Sequence, residues 1–515
     1  MTDKLELTWP GKNNLLRIEP RILIEKPELS NVTLDPDTQN MLIHGDNLLA
    51  LKALEHKFAG KVKCIYIDPP YNTGAAFEHY DDNFEHSTWL SLMRPRLELL
   101  RTLLSDDGFI FIQIDDNEQA YLKVMMDEIF GRQCYVNQIV WKRRGGSANP
   151  SNKLNNVTDY ILVYAKTAGT PINQVYTKDD ENTKKYIEER FRFIDENGRR
   201  YMKSPIQSPN PRPNLIYEYK GYRVPTKGWS ISREVMEQWD KEGRLAFPDD
   251  KSKTINRKIF LDEYRGQPIS SLWTDIFVIN PMSGERLDFD GGQKPEALIQ
   301  RILELVTNPG DLVLDSFLGS GTTAAVAHKM RRRYIGIEIG DHAYTHCKTR
   351  LDKVVAGEDL GGITKAVDWI GGGGYRFYEL AESLITITDD EYNIPLINRE
   401  YDAEMLAKAI ALHEGFTYQP DETLFWKQSR GSEYSYLFVT TRHISRAYLD
   451  AIHGTMAEGE YLIIACKSYD SSIERAYRNI TVKKIPHMIL DKCEFGRNDY
   501  NLNIINPPKE DENND

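Results

Sequence analysis

Asp311-Leu312-Val313-Leu314-Asp315-Ser316-Phe317-Leu318-Gly319-Ser320-Gly321-Thr322-Thr323 is the stretch that decides the fold. The apolar residues 312–314 read as a buried strand. Gly319 and Gly321 make a tight turn that lets a ligand approach the backbone. Thr322 and Thr323 then open a helix through Ala324-Ala325-Val326-Ala327-His328, and a second strand, Tyr334-Ile335-Gly336-Ile337, ends at the acid Glu338. Strand, glycine turn, helix, strand and acid form the mononucleotide-binding half of a doubly wound α/β fold, with the acid placed to hold ribose hydroxyls. The turn lacks the third glycine of dinucleotide binders and has no Gly-Lys-Ser/Thr, so it suits a cofactor without phosphates, such as S-adenosylmethionine. A helix packed close on a sheet through two glycines is the plainer alternative.

The second informative stretch is Cys64-Ile65-Tyr66-Ile67-Asp68-Pro69-Pro70-Tyr71-Asn72-Thr73-Gly74. An apolar strand stops at a carboxylate, and two prolines that cannot donate to a sheet ladder end it there. Their fixed backbone makes a rigid loop at a strand's carboxyl end, where open α/β sheets bind ligands. The loop offers the acceptor Asp68, the carbonyl of Pro69, the fixed Pro70 and the ring of Tyr71. An exocyclic amine on a flipped-out base needs that set: acceptors for its hydrogens and a ring to stack on. Alone, the same residues would also serve as an ordinary strand-to-turn junction.

With both stretches in one chain, the sequence resembles the amino-methyltransferases that modify DNA, whose catalytic motif is Asp/Asn/Ser-Pro-Pro-Tyr/Phe. The catalytic loop precedes the glycine turn, as in the β class of that family. Met41-Leu42-Ile43-His44-Gly45-Asp46-Asn47-Leu48 looks like the family's Gly-Asp motif, whose acid, here Asp46, meets the cofactor adenine. Lys294-Pro295-Glu296-Ala297-Leu298 resembles the motif near the methionine end of the cofactor, and Asp159-Tyr160-Ile161-Leu162-Val163-Tyr164-Ala165-Lys166 looks like the strand that closes the catalytic half. Asp-Pro-Pro-Tyr-Asn-Thr-Gly, Trp89-Leu90-Ser91-Leu92-Met93-Arg94-Pro95-Arg96-Leu97 and Ile480-Thr481-Val482-Lys483-Lys484-Ile485-Pro486 are most similar to the modification subunits of type III restriction systems and their orphan relatives.

That resemblance implies a Rossmann-like, S-adenosylmethionine-dependent methyltransferase fold with an inserted target recognition domain and a separate C-terminal α/β domain. It implies methyl transfer to N6 of adenine in double-stranded DNA, with N4 of cytosine and a catalytically silent DNA-specificity subunit as the alternatives. Catalysis would fall to Asp68, Pro69, Pro70 and Tyr71. The cofactor would meet Asp46, Asp68, Lys294, Asp315, Phe317, Gly319, Gly321, Thr322, Thr323 and Glu338. A homodimer follows from the same resemblance, as does a restriction subunit carrying helicase and nuclease activity as a further partner.

Composition is compatible with a cytoplasmic enzyme. The chain has 515 residues, enough for several domains and large cores. Nothing in it reads as a signal peptide or a membrane span. Five scattered cysteines in no metal-ligand spacing predict reduced thiols and no metal site. The net charge of −12 argues against a protein that coats nucleic acid, although local patches set the contact field. Lys142, Arg143 and Arg144, followed by Gly145 and Gly146, read as phosphate contacts. The middle region mixes Lys184, Lys185, Arg190, Arg192, Arg199 and Arg200 with Tyr186, Phe191, Phe193 and Tyr201, a blend suited to DNA.

The patterning predicts an N-terminal arm over 1–40, a catalytic half over 41–166 with a long helix over 88–104, and a target recognition domain over 167–290. A cofactor half follows over 291–356, then a glycine linker over 357–376. A C-terminal assembly or partner domain over 377–505 and a disordered tail over 506–515 complete it. The alternation of strands and helices in the catalytic half predicts a parallel sheet.

Overall fold

The computed structural model describes residues 5–14, 16–72, 85–145, 154–289, 292–388, 392–474, 476–497 and 500; the tail expected over 506–515 lies outside them. Two units form, one from Met1–Asn173 with Ile276–Asp515, the other from Gln174–Asp275.

The larger unit is built on a twisted sheet with strands in the order Leu23–Glu25, Arg376–Leu380, Met41–His44, Arg333–Glu338, Leu312–Asp315, Val62–Ile67, Leu104–Ile114, Thr158–Ala165 and Tyr135–Lys142. From Arg376–Leu380 to Leu104–Ile114 every pairing is parallel. Both glycine-turn strands thus lie in the middle, next to the Asp-Pro-Pro-Tyr strand, and order reverses between Leu312–Asp315 and Val62–Ile67. The carboxyl ends at such a reversal leave a crevice. Strands buried on both faces must be continuously apolar; Cys64, Ile65 and Ile67 are fully buried, as are Val313 and Leu314. Helix Asn47–Phe58 starts on an Asp46 cap, and helix His86–Leu103 runs unbroken through Pro95. Leu90, Met93, Leu97 and Leu100 of that second helix pack into the core, a spacing of three and four that marks one helical face.

The sheet corrects two expectations. It is mixed rather than parallel, because Thr158–Ala165 runs antiparallel to both its neighbours. Antiparallel neighbours need only a loop between them, whereas parallel neighbours need a crossover connection. Nor does the central sheet end near residue 356. Arg376–Leu380 follows the four glycines and pairs in parallel with Met41–His44, so Gly371 to Gly374 connect parts of one sheet. The N-terminal arm then adds Leu23–Glu25 to the edge of that strand. Buried Glu19 accepts hydrogen bonds from the Ser383 hydroxyl and the Leu384 N–H at 2.8 Å each. Beyond this point the chain forms a five-stranded sheet, Thr417–Tyr418, Ser429–Arg430, Ser435–Ile444, Tyr461–Tyr469 and Ile480–Lys484, the last three parallel.

The smaller unit holds an antiparallel sheet, Leu245–Ala246, Asn256–Phe260, Arg200–Pro205 and Phe193–Ile194. Helices Glu181–Arg190 and Arg233–Lys241 accompany it, and Trp229, Met236, Leu245 and Ile255 form its core.

Candidate active site

A cavity of about 630 Å³ opens at the strand reversal, within the range that holds a small-molecule cofactor. Its walls include Asp68, Pro69, Pro70 and Tyr71 from the first loop, Lys294, and Asp315, Phe317, Gly319, Thr322 and Thr323 from the glycine turn. Residues far apart in the chain converge because both loops leave adjacent parallel strands at the same end.

Asp68 is the hub. Its Oδ1 accepts the Tyr71 hydroxyl at 2.7 Å, and its Oδ2 pairs with the Lys294 ammonium. The Lys294 Nζ also lies 5.5 Å from the centre of the Tyr71 ring. The proline loop is pinned from outside by buried Trp89, whose indole N–H donates to the Pro70 carbonyl at 2.8 Å. Burial, with the Asp68 charge beside it, holds the Tyr71 phenol well above its ordinary range, so the hydroxyl stays a donor.

The glycine turn is fixed by its own carboxylates. Asp315 Oδ1 accepts the Phe317 N–H at 2.9 Å and Oδ2 accepts the Thr323 hydroxyl at 2.6 Å. Burial pushes the Asp315 carboxyl up to about 7. Glu338 is buried and accepts the Gly319 N–H at 2.6 Å, with the Ile339 and Gly340 N–H groups on its other oxygen. It therefore shapes the turn. Gly319 at φ +54° and Gly321 at φ +80° use the left-handed region, and a Cβ on Gly321 would stand 3.2 Å from the Cys347 Cα. Beneath the turn lies an ionic cluster that the sequence did not disclose. Buried Glu296 accepts Lys329 at 2.8 Å and Arg350 at 2.7 Å, and Arg350 also donates to the Thr322 hydroxyl at 2.9 Å.

Three of the expected groups are engaged by partners within the chain. Asp46 is not on the cavity wall. Its Oδ1 caps a helix by accepting the Leu48 and Leu49 N–H groups, and its Oδ2 accepts the Tyr500 N–H and faces Arg96. Helix N-termini carry orphan donors that the nearest carboxylate satisfies. Arg143 lines the cavity and turns toward buried Asp159, Nε to Oδ1 3.1 Å. Arg144 is exposed at the cavity and Lys142 half-buried on its strand; Gly146 lies outside the described residues. In the smaller unit, Arg199 is engaged by Asp262 and Glu263, and Arg200 donates to the Phe191 carbonyl. The free basic and aromatic character sits on one sheet face instead. Lys203 lies over Phe193 at 4.1 Å and Lys258 over Tyr201 at 5.1 Å.

Sequence reasoning also missed residues. Gln113, Asp115 and Asp159 reach the centre of the site from strand ends whose chemistry was read only as apolar. Asp115 and Asp159 line the cavity, and burial raises both carboxyls, Asp115 to about 6. In the C-terminal part His443 lies 2.9 Å from both Ser468 and Asp470. That cluster is exposed and Asp470 also accepts the Arg446 N–H, which suits a helix cap. All five cysteines are free thiols, and no helix among the described residues is long and apolar enough to cross a membrane.

A rigid acceptor loop and a left-handed glycine turn face each other across one crevice. The sequence pattern of the DNA methylase family matches residues 62–349, and the chain belongs to that family. It is 39% identical to the probable type III restriction-modification enzyme HindVI Mod subunit of Haemophilus influenzae, over 67% of this chain and 54% of that protein. It is 33% identical to the type III restriction-modification enzyme StyLTI Mod subunit of Salmonella typhimurium, over 59% and 52%. Type II methyltransferase M.EcaI of Enterobacter cloacae is 31% identical over 65% of this chain and 75% of its own length. The chain spans about half the length of the first two relatives.

Proposed function

We propose that this protein transfers a methyl group from S-adenosylmethionine to N6 of adenine in double-stranded DNA, as the modification subunit of a type III restriction–modification system or an orphan relative. The observation that carries the reading is the meeting of Asp68 and Lys294 inside one cavity, which joins the amine-binding loop to the cofactor side. The sulfonium of S-adenosylmethionine supplies an already activated methyl. Gly319, Phe317, Asp315 and Lys294 would hold that cofactor against the turn; the open backbone at Gly319 and the cavity volume fit it.

The chain's own task is geometry. An aromatic amine is a poor nucleophile because its lone pair is delocalised into the ring. Asp68 and the Pro69 carbonyl accept the two amine hydrogens and favour a tetrahedral nitrogen, whose lone pair then points at the methyl. Fixing both partners this way supplies much of the rate. Tyr71 stacks on the base and repays part of the few kcal/mol lost on unstacking. No strong base is required, since the product ammonium loses its proton readily.

The unit Gln174–Asp275 is assigned to reading the DNA sequence, and its Phe193, Lys203, Tyr201 and Lys258 face suits base and phosphate contacts. Arg144 and Lys142 approach the backbone near the target base. A restriction subunit as partner is in keeping with the relatives' names as Mod subunits; two copies of the chain assemble, and exposed Ile387, Ile394 and Leu396 offer apolar surface for that assembly. The substrate places the enzyme in the cytoplasm.

Nucleoside analysis of duplex DNA incubated with the protein and S-adenosylmethionine tests the reading. N6-methyladenine is expected. N4-methylcytosine alone would overturn the adenine assignment, and no methylated base on varied DNA would overturn the whole reading. Light scattering would report the dimer, and a monomer would refute it.

A further inference from the structure

Resting contacts around Asp68 leave a gap in the mechanism just described. Both its oxygens are already engaged, Oδ1 by the Tyr71 hydroxyl and Oδ2 by Lys294. An incoming amine competes with one of these donors. A phenol has a single proton and can donate to one acceptor at a time. Tyr71 is half-buried against the core, where a hydroxyl is best kept partnered. A second acceptor within reach of the same hydroxyl lets it yield Asp68 to the amine.

Asp159 is placed to be that acceptor. Its Oδ2 lies 3.4 Å from the Tyr71 hydroxyl oxygen, against 2.7 Å for Asp68. Its side chain is 1% exposed and lies on the cavity wall. Its position is held by a relay: Tyr66 donates to Gln113 Oε1 at 2.6 Å, which turns the Gln113 amide so that Nε2 donates to Asp159 Oδ2 at 3.0 Å. Arg143 pairs with Oδ1 at 3.1 Å, so the charge of this carboxylate is balanced from the far side, and Oδ2, with two lone pairs, can accept the Tyr71 hydroxyl beside the Gln113 amide.

We propose that Asp159 is a positioning residue for methyl transfer: it takes the Tyr71 hydroxyl when the target amine takes Asp68. The exchange requires little movement, because the hydroxyl already lies within hydrogen-bond distance of both acids. Two acids thus share one donor, and the amine decides which of them holds it. The inference rests on the methyl-transfer reading above.

The test is a double-mutant cycle between Asp159→Ala and Tyr71→Phe in the full-length protein, with kcat, KM for S-adenosylmethionine and calorimetric cofactor binding measured for each. Asp159→Ala, which leaves no acceptor there, is expected to lower kcat about a hundredfold and to leave cofactor binding within about twofold. In the Tyr71→Phe background the same substitution should cost almost nothing more, because the hydroxyl it serves is gone; a purely structural role for Asp159 would be indifferent to that hydroxyl. Additive losses, or full activity of Asp159→Ala, would overturn the proposal. Should Asp159→Ala not fold, the wild-type chain labelled with 3-fluorotyrosine answers instead. The Tyr71 fluorine resonance, assigned by its loss in Tyr71→Phe, should move when S-adenosylhomocysteine and target duplex bind together but not with S-adenosylhomocysteine alone, and an unmoved resonance refutes the exchange. Absence of methyl transfer by the wild type itself would defeat the parent reading and is seen before any variant is made.

Discussion

Lys294 and Asp68 are 226 residues apart in sequence and form an ion pair inside the cavity. One comes from the segment before the glycine turn, the other from the end of the Asp-Pro-Pro-Tyr strand. The pair balances the charge of the acid assigned to the target amine and marks the point where the two halves of the site touch.

Removing Asp68 should separate chemistry from cofactor binding. Asp68→Ala is expected to bring methyl transfer below about a thousandth of wild type, while calorimetry still finds cofactor binding within about tenfold. Gly319, Asp315 and Phe317 remain to hold the cofactor, and Lys294 is freed. A correctly folded Asp68→Ala protein that binds no cofactor would show that the division of roles is wrong.

Gly321→Ala should act in the opposite sense. At φ +80° an alanine is strained, and its Cβ would lie 3.2 Å from the Cys347 Cα. Backbone strain of this kind costs about 1 to 3 kcal/mol, and relieving it moves the turn. Cofactor affinity should fall at least about tenfold, with overall folding retained by circular dichroism. Unchanged affinity would exclude the turn from cofactor binding.

The Asp315 carboxyl gives a pH signature. Its native value is pushed up to about 7 by burial, against about 3.9 for a free aspartate. Between those values the native state holds a proton that the unfolded chain releases, so the group's contribution to stability falls as pH rises. Asp315→Asn carries no such titration. In denaturant unfolding, the variant should gain on wild type between pH 4 and pH 8, whatever its absolute stability. A difference independent of pH would refute the buried, protonatable state.

Lys329→Ala probes the cluster beneath the turn. Lys329 and Glu296 are both wholly buried, and removing one partner of such a pair costs about 3 to 5 kcal/mol. Arg350 still faces Glu296 at 2.7 Å, which favours the lower end. Chemical denaturation measures this, and a loss under about 1 kcal/mol would mean that Arg350 alone balances the charge.

Exchanging residues 174–275 with the matching segment of a relative should change the methylated sequence and keep the methylated atom. Sequencing that detects N6-methyladenine reads both. An active chimera with an unchanged target would place sequence reading elsewhere.

Local chemistry made much of this protein legible in sequence. Two prolines end the Val62–Ile67 strand wherever it lies, and the turn at Gly319 and Gly321 needs glycine whatever surrounds it. Both follow from backbone sterics, which act over a few residues. The same holds for the apolar runs that became central strands and for the long helix at His86–Leu103. Pairing partners are another matter. Thr158–Ala165 reads as an apolar strand like those of the parallel region, and its antiparallel direction came from how the chain returns to the sheet. The four glycines looked like a boundary because flexible composition resembles a linker, but Arg376–Leu380 found the open edge of Met41–His44. Side-chain roles diverged most. Asp46 and Asp159 are both aspartates at strand termini; one satisfies helix N–H groups and the other lies within reach of Tyr71. A motif fixes a residue's type and its local backbone, whereas which donors surround a carboxylate depends on segments distant in the chain, and only the folded structure brings them together.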